Sequence, residues 1–180
     1  SLSVNWFYAV SQQLRFALTQ TVARPDFKEA ANATFYDNEF NFRVLGNPFL
    51  EVSTITNADI RWEWYGDNDQ DNLSVAFFYK DMDKPIERVV QLASGTAGNS
   101  RTFRNAESGE LAGIELEGKK EFVLDEGFSK TLFTSFNISL IESEVSLSSG
   151  KVRALQGQPE YTANLIIGYD DVASGQELTF

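Results

Sequence analysis

The sequence predicts an all-β fold, an antiparallel up-and-down meander of about eight strands. Three observations carry that expectation: strict alternation of apolar and polar residues, a rhythm of short and long connections, and aromatics beside the short ones. Alternation is clearest from Asn57 to Trp64, where Ala58, Ile60, Trp62 and Trp64 interleave with Asn57, Asp59, Arg61 and Glu63. Successive side chains of a strand point to opposite faces, so this strand has a dry side and a charged side. The pattern returns at Leu14/Phe16/Leu18 against Arg15/Ala17/Thr19, and at Leu73/Val75/Phe77/Tyr79 against Ser74/Ala76/Phe78/Lys80. It appears again in the strands around Phe136 and Leu165. So many two-sided strands make a sheet between two solvents, and its dry side meets either a protein core or lipid.

Taken in order, the first strand is expected over about Leu2 to Val10 and the second over about Gln13 to Arg24, with Ser11-Gln12 as a tight turn. An irregular stretch follows from Pro25 to about Glu51, with a short helical turn at Phe27 to Ala33. The third strand spans about Val52 to Tyr65 and ends in the polar turn Gly66-Asp67-Asn68-Asp69-Gln70-Asp71-Asn72. The fourth spans about Leu73 to Lys80 and resumes at Ile86 to Leu92 after the Asp83-Lys84-Pro85 break. Ala93 to Ser100 is small and polar, hence loop. The fifth covers about Arg101 to Phe122, with a bulge near Glu107-Ser108-Gly109. Asp125-Glu126-Gly127 turns the chain into the sixth, about Lys130 to Val145. Ser146 to Ala154 is loop, the seventh strand spans about Gln156 to Asp170, and Asp171 to Gly175 is turn. Gln176 to Phe180 is the eighth, too short for a complete membrane strand.

Short connections follow Val10, Tyr65, Leu124 and Asp170, while long ones follow Arg24, Lys80 and Val145. Outer-membrane barrels have this asymmetry, with short periplasmic turns and long extracellular loops. Tyr8, Trp64, Tyr65, Phe122 and Tyr169 lie where strands meet the short turns, the place where part-polar rings favour a bilayer interface.

Composition removes several functions. The net charge of −11, with no basic run, argues against a nucleic-acid partner. Neither Cys nor His occurs, so thiolate sites, iron–sulfur ligands and Ser-His or Cys-His nucleophile pairs are excluded, and no cofactor or metal site is expected. No stretch approaches the ~18 apolar residues of a spanning helix, a limit that does not apply to strands.

Three stretches go beyond periodicity: Thr21-Val22-Ala23-Arg24-Pro25-Asp26-Phe27, then Gly46-Asn47-Pro48-Phe49-Leu50-Glu51, then Leu155-Gln156-Gly157-Gln158-Pro159-Glu160-Tyr161-Thr162-Ala163-Asn164-Leu165 with Gly168-Tyr169-Asp170. With Phe77 to Ile86 and Glu110 to Glu117 between them, this ordered set resembles the C-terminal half of the barrel in TonB-dependent outer-membrane receptors. The resemblance spans nearly the whole chain. It implies that residues 1–180 form one arc of a transmembrane barrel of about 22 strands, in the outer membrane of a Gram-negative bacterium. The domain is expected to be partial, since nothing resembles the plug domain or the TonB-box segment, and the start inside a strand and the short last strand fit an excised piece.

On that reading Ile60, Trp62, Phe77, Leu116, Phe136, Leu165 and Ile167 face lipid. Asp59, Arg61, Glu63, Lys80, Glu115, Glu117, Asn137 and Asn164 line the lumen, and Pro25–Glu51, Asp81–Ser100 and Ser146–Ala154 are extracellular. The resemblance implies a receptor that imports a scarce nutrient (an iron chelate, a vitamin or an oligosaccharide) with energy relayed by TonB. Its partners are outer-membrane lipid, an extracellular small molecule, and TonB through an N-terminal region absent from this chain. It is not an enzyme. Two alternatives fit the strands alone: a complete eight-stranded outer-membrane barrel, and a soluble carbohydrate-binding β-sandwich whose dry faces pack together. An isolated arc has unpaired edges and a broad apolar face, so in water it is expected to self-associate or to cover that face with its own loops.

Smaller motifs have plainer explanations. Asp67 to Asp71 has the alternating oxygens of a calcium loop without its glycine or final glutamate, and reads as a hairpin turn. Asp59, Glu63, Glu115 and Glu117 could supply a glycosidase acid pair, but carboxylates on a barrel wall ordinarily meet water. The sequons at Asn32, Asn72 and Asn137 have no role in a bacterial outer membrane.

Overall fold

The computed structural model describes residues 1–37, 42–67, 70–91, 100–127 and 129–180. Asn68 and Asp69 of the expected polar turn, and residues 93–99 of the expected loop, lie outside them.

Eight strands make one antiparallel sheet in chain order. They are β1 (Leu2–Ala9), β2 (Gln12–Ala23), β5 (Ser53–Tyr65), β6 (Asn72–Asp83), β9 (Ser108–Val123), β10 (Lys130–Ser146), β12 (Tyr161–Asp171) and β13 (Gln176–Thr179). This is the expected meander, in which each of the eight pairs with its neighbours along the sheet, and a ninth, two-residue strand adds to the end of β10. The outer strands β1 and β13 do not pair with each other, so the sheet is open rather than a closed eight-stranded barrel.

Register puts every alternation on the same two sides. Phe16, Ile60, Phe77, Ile114 and Leu140 stand opposite one another across five strands, and Leu14, Trp62, Val75, Leu116 and Ile138 form the next apolar row. Between those rows lie Arg15, Arg61, Ala76, Glu115 and Ser139, pointing the other way. Burial is inverted relative to a water-soluble protein. Glu63, Asn57 and Ser74 are 8, 6 and 5 % exposed, whereas Phe77, Leu140 and Leu165 are 53, 55 and 62 % exposed. The polar face is crowded by its own side chains, and no described residue covers the apolar face.

The long connections contain the expected helical turn and the expected strand from Ile86, and also strands that the sequence did not announce. Residues 25–51 hold helix α1 (Phe27–Ala30) and a hairpin of β3 (Thr34–Asp37) and β4 (Phe42–Leu45), not an irregular stretch. Strands of four residues are too short to display a period. Two further strands, β7 (Ile86–Gln91) and β8 (Ser100–Asn105), join them in a second sheet ordered β3-β4-β8-β7, with β4 and β8 parallel. The expected fifth strand is therefore two, broken at Ala106-Glu107, where the chain changes sheet. The expected loop at 146–154 contains β11 (Val152–Arg153), paired with the end of β10, and the seventh strand starts at Tyr161 rather than Gln156.

The second sheet sits over the polar face. Met82, Gly109 and Val145 share that face by register, and a Cβ on Gly109 would meet Val145, Pro85 and Met82 at 3.0–3.3 Å. Val145 is fully buried there, and Phe103, Ala106 and Val44 of the overlying segments are buried as well. Among the described residues, therefore, the loops do not cover the apolar face, nor does a second sheet pack on it as a sandwich requires.

Glycines in the sheet lie under aromatic rings across the strand, an arrangement that restores packing where a side chain is missing. A Cβ on Gly113 would fall 2.3 Å from the Phe78 ring and 2.8 Å from the backbone oxygen of Leu140, whereas the three atoms nearest one on Gly168 all belong to the Phe133 ring, the first at 2.2 Å. A ring can swing aside and a strand carbonyl cannot. Gly113→Ala is thus expected to cost about 1–3 kcal/mol as an overpacking change, with Gly168→Ala costing less. Denaturant unfolding of both variants checks the order, and equal costs would refute this account.

Candidate functional site

The polar face holds a connected network built from five strands. Arg61 on β5 lies at its centre: Nε donates to Glu63 Oε1 at 3.0 Å, and Nη2 donates to Glu117 Oε2 at 2.5 Å and to Ser74 Oγ at 2.8 Å. Arg15 on β2 reaches Glu63 Oε2 at 3.0 Å, and Gln13 donates to the same carboxylate and to the Tyr65 hydroxyl. Asn137 on β10 donates to Glu117 Oε1 at 3.1 Å, so the chain of contacts crosses from β2 to β10. A second cluster lies nearer the long loops, where Lys80 Nζ donates to Asn57 Oδ1 at 2.7 Å and Asn57 Nδ2 donates to Thr19 and Thr21.

Of the polar residues singled out by alternation, the structure joins Arg61, Glu63, Glu117 and Asn137 in the main network and Lys80 in the second cluster. Glu115 accepts only a 3.5 Å bond from Ser139, and Asp59 and Asn164 have no side-chain partner among the described residues. Asn164 stands directly opposite Asn137. Arg15, Gln13 and Ser74 were not singled out. Each is short of distinctive on its own, and only register, which places Gln13 and Ser74 opposite Glu63, reveals them. Arg61 neutralises both Glu63 and Glu117, which removes them as an acid pair. No group of three or more metal-binding side chains occurs among the described residues.

On the apolar face, Ile60, Trp62, Phe77, Leu116, Phe136, Leu165 and Ile167 all project to one side. Rings gather at its short-turn end. Trp62 Nε1 donates to the Tyr8 hydroxyl at 2.7 Å, Tyr8 donates to Gln12 at 2.5 Å, and the Trp6 and Tyr8 rings lie 5.7 Å apart. Lys120 shares this end, paired with the buried Asp71 and lying over the Phe122 ring. Asp71 also accepts from the Glu121 amide, so the would-be calcium loop spends a carboxylate on strand β9. In the next turn, the Ser129 hydroxyl and the Lys130 amide hold the Asp125 carboxyl below its ordinary pKa. At the other end, Tyr79 and Tyr161 close the band and the outward side becomes acidic, with Asp81, Glu110 and Glu144 in one row. On β9 the band runs from Ala112 to Phe122, ten steps of ~3.3 Å, which at the usual ~45° tilt gives a height of about 23 Å. That matches the ~25 Å apolar band of an outer-membrane barrel.

The loop motifs brace the second sheet. Asp26 caps α1 reciprocally with Glu29, and the Asn47 side chain donates to the Phe103 carbonyl while accepting from the Phe49 amide. Asn105, which no motif flagged, donates to the carbonyls of Glu51 and Lys84 and accepts from the Glu51 amide. Lys84 Nζ pairs with Glu51 at 2.5 Å, and that contact raises the lysine pKa. Gln156 reaches the Arg88 carbonyl at 3.0 Å.

The comparisons agree with this architecture. A ferric enterobactin receptor from Pseudomonas aeruginosa, solved with enterobactin, superposes with a TM-score of 0.65 at 18 % identity, covering 98 % of this chain and 26 % of its own. The siderophore receptor PirA from Acinetobacter baumannii gives 0.59 at 18 % identity, with 93 and 26 % covered. PirA from Pseudomonas aeruginosa gives 0.54 at 13 % identity, with 98 and 31 % covered. The chain thus spans about a quarter of the length of the first of these receptors. No curated protein matches it. The family model described as "TonB dependent receptor-like, beta-barrel" matches residues 1–178. The chain therefore belongs to the TonB-dependent receptors of the Gram-negative outer membrane, as part of their β-barrel domain.

Proposed function

We propose that this chain is part of the wall of an outer-membrane transporter that captures a scarce nutrient outside the cell and imports it with TonB-relayed energy. The observation that carries the reading is the inverted burial: charged side chains paired on one face, large apolar ones exposed on the other. Exposed Phe, Leu and Ile in rows across six strands are costly in water and favourable in hydrocarbon, while a sheet leaves backbone groups paired as lipid demands. Ile60, Trp62, Phe77, Leu116, Phe136, Leu165 and Ile167 then meet lipid. Asp59, Arg61, Glu63, Lys80, Glu115, Glu117, Asn137 and Asn164 meet the lumen. The short turns are periplasmic, and the second sheet overhangs the extracellular mouth.

An iron chelate is the cargo best supported, because the similar solved structures are siderophore receptors. The test is growth and radiolabelled-iron uptake by a strain lacking the whole receptor, with ferric siderophore as sole iron source. Loss of the receptor and loss of TonB are expected to abolish the same uptake. Unchanged uptake without the receptor would overturn iron import.

A further inference from the structure

We propose that a pocket at the short-turn end of the apolar face seats the head group of a phospholipid, one carrying a phosphate and a primary ammonium. The pocket lies between the β1–β2 and β5–β6 turns, encloses about 390 Å³, and has Ser11, Trp64, Asp67, Asp71 and Lys120 in its lining. That volume is in the range of small-molecule sites. The proposal rests on the reading above, in which this face meets lipid and the short turns are periplasmic.

Register sets the depth of the site. Trp64 stands opposite Leu73, and Lys120 stands opposite Thr134, itself opposite the apolar Ile167. Both therefore project outward with the apolar band, at its short-turn edge, where the head groups of the periplasmic leaflet lie. A lysine among apolar rows is costly unless its ammonium reaches water or a head group. The Lys120 side chain is half exposed and pairs with the buried Asp71. An ammonium has three N–H donors, so that pairing fixes the lysine without exhausting it.

The remaining polar groups of the lining sort by sign. The Trp64 indole N–H and the Ser11 hydroxyl have no side-chain partner among the described residues. By contrast, the Trp62 indole N–H is spent on Tyr8 and Gln12. Lys120, Trp64 and Ser11 thus offer donors to phosphate oxygens. On the acceptor side, Asp71 already takes Lys120 and the Glu121 amide. Asp67 is exposed and has no ion pair among the described residues, which leaves its carboxylate for an ammonium. A lipid whose head is anionic throughout would meet Asp67 with no compensation, so the pocket discriminates by charge. The far end of the same face carries the carboxylates Asp81, Glu110 and Glu144 in one row, so the two leaflets meet different chemistry.

The test is native mass spectrometry of the whole receptor in detergent, titrated with phosphatidylethanolamine, phosphatidylglycerol or free phosphoethanolamine. Phosphatidylethanolamine is expected to bind more tightly than either of the others. The double variant Lys120→Gln/Asp71→Asn removes the cation together with its buried partner, so no carboxylate is orphaned. It should weaken phosphatidylethanolamine binding at least about tenfold. Asp67→Asn, at a residue with no ion pair to lose, should erase the preference over phosphatidylglycerol. Trp64→Phe keeps a ring and drops the N–H, and should weaken both lipids. Equal binding by the parent and the double variant would overturn the proposal. So would equal binding of the two lipids by the parent, or free phosphoethanolamine binding as tightly as the lipid, which would make the pocket a solute site. Each of these outcomes sinks the head-group site alone. The wall reading fails separately, on equal effects of Leu165→Arg and Asn164→Arg in vesicles.

Discussion

Leu165→Arg is expected to destabilise the membrane-inserted barrel by about 2–4 kcal/mol, the cost of a cation near the bilayer midplane. Asn164→Arg, one residue away on the same strand, is expected to change stability by less than about 0.5 kcal/mol. Leu165 stands opposite Phe136, in the middle of the apolar band, and is 62 % exposed within the chain. No described residue covers its outward side, so most of the cost of an arginine there comes from the surrounding medium. Asn164 points to the polar face, is exposed, and holds no side-chain partner. Denaturant unfolding of the receptor in phospholipid vesicles measures both. Equal effects at 164 and 165, or a larger one at 164, would mean that the two faces have been assigned to the wrong solvents.

The adjacent-residue contrast works because period-two alternation maps directly onto side-chain direction, and that is also why so much of the main sheet was legible. From Asn57–Trp64 alone one can say that Trp62 and Arg61 face opposite ways, and register then only aligns the rows. The two-sheet architecture was not legible. Thr34–Asp37 and Phe42–Leu45 are four residues each, too few to show a period. The parallel pairing of β4 with β8 joins segments more than fifty residues apart and leaves no local mark. The loop motifs were visible as strings and silent about purpose. Asn47 in Gly46-Asn47-Pro48 turned out to be a brace on the Phe103 carbonyl. The polar site was half visible for a similar reason. Alternation puts Arg61, Glu117 and Ser74 on the polar side but gives Ser74 no role, and it matters only because it bonds to both of the others.

Arg61→Ala is expected to cost about 2–4 kcal/mol, a range set by losing charge-assisted hydrogen bonds of about 1.5–3 kcal/mol each and reduced by partial exposure of Glu117. Among the described residues the arginine is the sole cation on Glu117, whose other partners are the neutral Ser74 and Asn137, while Glu63 keeps Arg15 and Gln13 after the change. Most of the penalty therefore falls on Glu117, left ionised beside β6 and β10 without a counter-charge. This separates the consequence of an orphaned carboxylate from mere loss of contacts, because Glu117→Gln removes the orphan. Arg61→Ala/Glu117→Gln should recover about 1 kcal/mol or more relative to Arg61→Ala, although it deletes more of the network. Glu117→Gln alone should cost less than Arg61→Ala, since Glu63 still engages the guanidinium. Denaturant midpoints of the three variants and the parent, taken in vesicles at low and high salt, complete the cycle. If the double variant is no more stable than Arg61→Ala, the arginine acts through packing of its stem across β5 and β6, and the electrostatic account of this wall fails.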